Sequence, residues 1–186
     1  MLRWLMNSLL VVGLMGTAAA LAQEGPQPAK PQKEHEWLLQ LVGEWETHGK
    51  AEAEPGQPAF ECDGKESISS LGGLWMIAKG EASAMGMKVE SRLTLGYDPA
   101  KQKFVGTWVD TMFNHMWTYE GTLDSSGKVL TLLTEGPSFT KPGETAKYRE
   151  VLEVKDTDHK VFTSQVQGDD GKWQKIITVE ATRAKK

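Results

Sequence analysis

The chain has 186 residues, with 21 basic and 25 acidic side chains and a formal net charge of −4. That length suits one domain with a real core, and the acidic balance with no basic cluster on one face argues against nucleic acid as a partner. Lone Cys62 cannot form an internal disulfide, so stability has to come from packing.

The first segment reads as a leader. Arg3 gives a short positive start, Leu5 to Gly16 is mostly apolar, and Ala20-Leu21-Ala22 has the small-x-small form that a signal peptidase cuts. The expected cleavage falls between Ala22 and Gln23, making 1–22 a signal peptide and the protein exported, periplasmic or extracellular. The apolar run is short for a membrane span, and no Cys stands at the cut, so no stable membrane anchor is expected. The leader carries one base and no acid, so its removal takes the charge to −5. Residues 23–34, with three prolines in QEGPQPAKPQK, read as a disordered tether.

A short helix follows from His35 to Val42. Trp37, Leu38 and Leu41 form its apolar stripe, and Gly43 stops it. Beyond Gly43 the helical period disappears. Trp45, Thr47, Gly49, Ala51 and Ala53 alternate with Glu44, Glu46, His48, Lys50 and Glu52, which makes a strand with one apolar and one charged face. The pattern repeats at roughly ten-residue spacing, predicting strands near 59–69, 74–83, 87–96, 103–110, 113–123, 128–135, 146–155, 160–167 and 172–183. Turn residues separate them: Asp98-Pro99, Asp124 to Gly127, Asp156 to Asp158 and Gly168 to Gly171. Gly136 to Gly143 is a longer loop placed to act as a lid. Short connections imply sequential antiparallel neighbours. An open meander of ten strands would leave two long edges, and closure removes them. The expected fold is therefore all-β: a ten-stranded antiparallel up-and-down barrel over 35–184, capped at one end by the helix, with 185–186 as a tail. A barrel of that size has room for a ligand.

Several short motifs fall in order along this frame. Gly43-x-Trp45 after the helix resembles the lipocalin and calycin signature, and that resemblance implies that Trp45 plugs the closed end beneath an Arg of the last strand, here Arg183. The run Leu41-Val42-Gly43-Glu44-Trp45, Leu71-Gly72-Gly73-Leu74-Trp75, Leu95-Gly96-Tyr97-Asp98-Pro99, Val105 to Asp110, Gly121 to Asp124 and Arg183 is similar to a bacterial family designated domain of unknown function 1579. It covers about Glu36 to Arg183 and implies a lipocalin-like barrel with no assigned activity. A more distant calycin relative, nitrobindin, holds haem through a His near its C-terminus. Gly168 to Lys186 contains no His, so this sequence departs from that pattern and no cofactor is expected.

The four His, at 35, 48, 115 and 159, share no ligand spacing, and no Cys or Glu completes a metal set. His35, His48 and His159 are expected to be solvated. His115 alternates with Phe113, Trp117 and Tyr119, which points it at the lumen or the apolar face, as a wall His bonded to a neighbour or as a polar handle for a ligand. Trp75, Trp108 and Trp117 can fill a core or line a pocket. Asp110 either ends its strand at a turn or pairs with His115 or Arg149 as an acid–base couple. Gly-x-Ser-x-Gly and phosphate-binding loops are absent from the sequence. Cys62 alternates with Phe60, Gly64 and Ile68 and is expected to be a small buried hydrophobe.

These readings converge on a barrel binding a small, largely apolar ligand, with Trp75, Trp108, Asp110, His115, Trp117 and Arg149 as candidate ligand contacts and Gly43, Trp45 and Arg183 closing one end. Non-catalytic binding is favoured over the alternatives. Those are an enzyme using His115 and Asp110 as acid–base groups, a haem or metal barrel, and a filled structural barrel. Nothing in the sequence sets an oligomeric state.

Overall fold

The computed structural model describes residues 28–53 and 59–185. The expected signal peptide and the first part of the expected tether lie outside them. One helix, α1 (Lys33–Leu39), is followed by ten strands: β1 (Gly43–Ala51), β2 (Phe60–Leu71), β3 (Trp75–Ala84), β4 (Met87–Asp98), β5 (Lys103–Asp110), β6 (Trp117–Leu123), β7 (Val129–Pro137), β8 (Thr145–Val154), β9 (His159–Gln167) and β10 (Trp173–Arg183). Each strand pairs antiparallel with the next, and β1 pairs with β10, closing the barrel. Closure leaves no edge strand to recruit another chain.

Helix α1 begins two residues before the expected start. His35 accepts a hydrogen bond from the Gln32 backbone N–H at 3.0 Å and packs edge-on against Tyr97. It is therefore buried, not solvated as its position suggested. His48 does lie on the outer, charged face, bonded to Asp63.

The turns follow their chemistry. Asp98 accepts from the N–H groups of Ala100 and Lys101, and Asp124 from those of Lys128 and Val129. The β3–β4 hairpin turns on Met85 and Gly86, both at positive φ (50° and 77°), as a two-residue type I′ turn requires.

At the end covered by α1, the barrel is packed solid. Leu38 and Leu41 drop from the helix onto Trp45, Ile68, Met76, Leu95, Phe104 and Leu130. Trp45 is 2% exposed, and its Nε1 donates to the Leu41 carbonyl at 2.9 Å. The Arg183 guanidinium lies 4.2 Å from the centre of its ring and the Lys160 ammonium 4.7 Å. Arg183 also donates to the carbonyls of Val42, Gln40 and Thr157 at 2.8, 3.0 and 2.9 Å. It thereby ties the helix exit and the β8–β9 turn to the last strand. Gly43 is fitted to this: its φ is +139°, and a Cβ there would stand 2.4 Å from Arg183 Nη1. Lys160, 6% exposed, is ion-paired with Glu66 across the interior.

Candidate functional site

Alternation along each strand fixes which side chains enter the barrel. Strands β1–β3 send small ones toward the open half: Gly49, Ala51, Cys62, Gly64, Gly80, Ala82 and Ala84, in matched register (Gly49↔Cys62, Cys62↔Ala84, Gly64↔Ala82). Strands β5, β6 and β8 send large ones: Trp108, Trp117, Tyr119 and Tyr148. Small side chains on β1–β3 thus stand across from aromatics on β5, β6 and β8. Inward-pointing Leu93, Trp108, Phe162, Val166, Ile177 and Val179 accordingly stay partly exposed, so solvent reaches the lumen from the open end. A second concavity, of about 360 Å³, lies at the closed end between α1 and the ends of β4–β6, lined by Trp37, Tyr97 and Phe104 among others, and shares no residue with the open half.

The open half of the lumen carries a polar cluster. Glu150 on β8 points inward between Tyr148 and Leu152, opposite Ser164 on β9 and Leu132 on β7. Ser164 Oγ donates to its Oε1 at 3.1 Å, while Oε2 is buried with no partner. Burial raises its pKa to about 8, against the lowering effect of the Ser164 bond. Thr134 Oγ1 on the adjacent β7 and Trp117 Nε1 on β6 beyond it are also buried without partners. Tyr119 completes the cluster; burial first, then the nearby charges of Glu150 and Asp110, hold its phenol above its ordinary range. Buried polar groups are nearly always bonded, so these three atoms along one wall have hydrogen-bonding capacity that the described residues do not satisfy.

The mouth is aromatic. Phe139, in the loop after β7, packs on Phe113, Trp117 and Tyr148 at ring separations of 5.1, 6.2 and 5.6 Å. His115 stands edge-on to Trp117 at 4.8 Å. The far edge of the Trp117 indole rests on Gly136, where a Cβ would come within 2.4 Å of it. This loop is shorter than the expected lid, because Gly136 and Pro137 still belong to β7. Lys141 anchors it to Asp169 at 2.7 Å.

The expected site residues are placed as follows. Trp108 and Trp117 enter the lumen. Phe113 to His115 form a loop and not the start of β6, because Asp110 Oδ1 accepts from the N–H groups of Met112 and Phe113 at 2.7 and 2.8 Å and bends the chain out of the sheet. Asp110 is thus a turn-former, and no hydrogen bond joins it to His115 or Arg149 among the described residues. Two expectations are corrected. Trp75 faces outward and lies on Gly96, because Met76 and Ala78 occupy the inner side of β3. Arg149 also faces outward, donating to Gln165 at 2.7 Å and covering the Trp173 ring at 4.6 Å. Glu150, Thr134, Ser164 and Tyr119 were not singled out from the sequence. The available signal was a Glu spaced by two from Tyr148 and from Leu152. Among the described residues no group of His, Cys, Asp and Glu is arranged to hold a metal ion.

Cys62 is half-buried and points into the lumen against Gly49, with its thiol pKa raised mainly by burial. As the chain's single Cys it is a natural reporter of that space. Modification by a small maleimide at pH 7.5 is expected to be at least tenfold slower than in the urea-unfolded protein. Equal rates would place the thiol outside the barrel.

A closed ten-stranded up-and-down barrel capped at one end by a helix defines an all-β barrel protein. The chain belongs to the family described as protein of unknown function (DUF1579), whose model matches residues 30–183. No curated protein matches the chain. Among solved structures it is similar to Rv2717c from M. tuberculosis, with a TM-score of 0.61 and 14% identity over 84% of this chain and 100% of that one. A looser likeness, with a TM-score of 0.39 and 11% identity over 81% of this chain and 99% of that one, is to EF1p2_mFAP2b bound to DFHBI. At these identities the likeness extends to the fold alone.

Proposed function

We propose that this is an exported binding protein that holds a small, largely apolar molecule in the open half of its barrel. The observation that carries the reading is the opposition of two walls: small residues on β1–β3 against aromatics on β5, β6 and β8, with apolar inward side chains still reached by solvent. Such a concave, mostly apolar space with a few inward polar groups is the ordinary form of a small-molecule site. Export is supported by Arg3, the apolar run and Ala20-x-Ala22.

Native mass spectrometry of protein purified from its own cell envelope tests both parts. The expected mass is that of a chain beginning at Gln23 plus a small molecule released on denaturation. A chain beginning at Met1 would remove the export claim. Filling the space tests the site directly. Ala82→Phe projects a ring from the small wall into the lumen, so the co-purifying molecule should be lost while the β-sheet circular dichroism is kept. Retention of the ligand by a folded Ala82→Phe protein would move the site elsewhere, with the closed-end groove the next place to look.

A further inference from the structure

We propose that the ligand carries an ammonium group on its apolar body, and that Glu150 is its counter-ion within an aromatic-lined seat. This rests on the lumen reading above and adds the class of ligand. Glu150 Oε2 is buried with no partner, while Oε1 is already bonded to Ser164. Among the described residues no Lys or Arg is free to answer that carboxyl. Lys160 is paired with Glu66 at the closed end, Arg183 is spent on backbone carbonyls there, and Arg149 lies outside the wall. The remaining titratable groups facing this half among the described residues are Tyr119 on β6, Asp110 on β5, Cys62 on β2 and Tyr148 on β8 itself, with His115 at the mouth. β7 and β9 present only Thr134 and Ser164 as polar neighbours. Two carboxyl groups with no Lys or Arg among the described residues make the space a poor place for an anion.

The neighbours of Glu150 favour a cation further. Tyr148 is two residues along the same strand, Phe162 is diagonal on β9, and Trp117 packs edge-on to Tyr148 with ring centres 4.9 Å apart. Aromatic rings beside an unpaired carboxyl are the recurring way to hold an alkylated ammonium. A hydroxyl could also satisfy Oε2, but it would gain nothing from the aromatic faces around it.

The binding step balances as follows. In the empty barrel at neutral pH burial keeps Glu150 protonated. Entry of a permanent cation leaves a carboxylate–ammonium pair and releases one proton to solvent. Affinity for such a cation should therefore rise with pH up to about 8 and level off above it.

Calorimetric titration of the full mature chain tests this, with benzyltrimethylammonium as the cation, neopentylbenzene as its uncharged carbon isostere and benzyl alcohol as the hydroxyl probe. The cation should bind about tenfold more tightly at pH 7 than at pH 6, with close to one proton released, read from the dependence of the heat on the buffer. At pH 8 it should bind at least tenfold more tightly than the isostere, whose affinity should not vary with pH. Glu150→Gln, which mimics the protonated acid, should abolish the cation's pH slope and its advantage while leaving the isostere's affinity unchanged. The wild-type slope requires no variant to fold. If the neutral probes bind and the cation does not, the ammonium proposal is wrong and the lumen reading stands. If no probe binds, both fall.

Discussion

Replacing Trp45 with Ala should lower the stability of the domain by about 3–5 kcal/mol, the usual range for removing a large buried aromatic. For a domain of this size that corresponds to a melting temperature roughly 10–15 °C lower. The reason is the convergence of functions on one side chain. Trp45 is 2% exposed, holds the end of the helical segment through its Nε1 bond to Leu41, and lies beneath both Arg183 and Lys160. Removing it leaves a cavity at the packed end of the barrel and takes the ring from two cations. Trp45→Phe separates these effects. It keeps most of the apolar volume but loses the hydrogen bond and the stronger π face, so about 1–2 kcal/mol is expected. Urea denaturation of the three proteins reads the difference. A Trp45→Ala protein within 1 kcal/mol of wild type would show that α1, and not the indole, closes the barrel.

This closed end was the most legible part of the molecule. The helical stripe ends at Gly43, strict alternation begins at once, and Gly43-x-Trp45 finds its partner Arg183 140 positions away. Local chemistry of that kind survives in the sequence because each residue's neighbours on both sides agree about its face. Where both faces are apolar, agreement fails. Trp75 and Ile77 alternate as convincingly as Met76 and Ala78, and only the register with β2 and β4 decides that the second pair is inside. Arg149 and Glu150 present the same difficulty in charged form. Adjacent residues of opposite sign must face opposite ways, and the expectation that an acid seeks water assigns them wrongly. The alternation of Phe113 and His115 with Trp117 carried a strand through a loop, because periodicity does not register Asp110 capping the turn. The missed residues share one property. They are polar side chains buried by strands that the apolar pattern had already claimed.

Glu150 makes a second large effect, on stability against pH, that needs no ligand. Its folded pKa lies near 8, raised from an ordinary value of 4.5. In the unfolded chain the carboxyl gives up its proton near 4.5, while the folded barrel keeps it to about pH 8. Between those values the folded state binds more protons, so stability falls as pH rises through that window, and above about 8 the loss is complete. At 1.36 kcal/mol per pH unit the full loss is of the order of 4–5 kcal/mol, an upper bound because the barrel can relax or admit water once the carboxyl ionises. Glu150→Gln stays neutral throughout and keeps an acceptor for Ser164. It should therefore match wild type near pH 5 and exceed it by several kcal/mol at pH 8.5. The crossing matters more than either value, because a merely structural substitution would shift the two curves by a constant. Urea melts at half-unit steps from pH 5 to 9 would show it, and parallel curves would mean that Glu150 is ionised, and solvated or paired, in the folded barrel. A carboxyl held at that cost with one oxygen unpaired is hard to explain by packing, since Gln or Leu would serve the empty barrel better. The seat becomes intelligible when something else shares it.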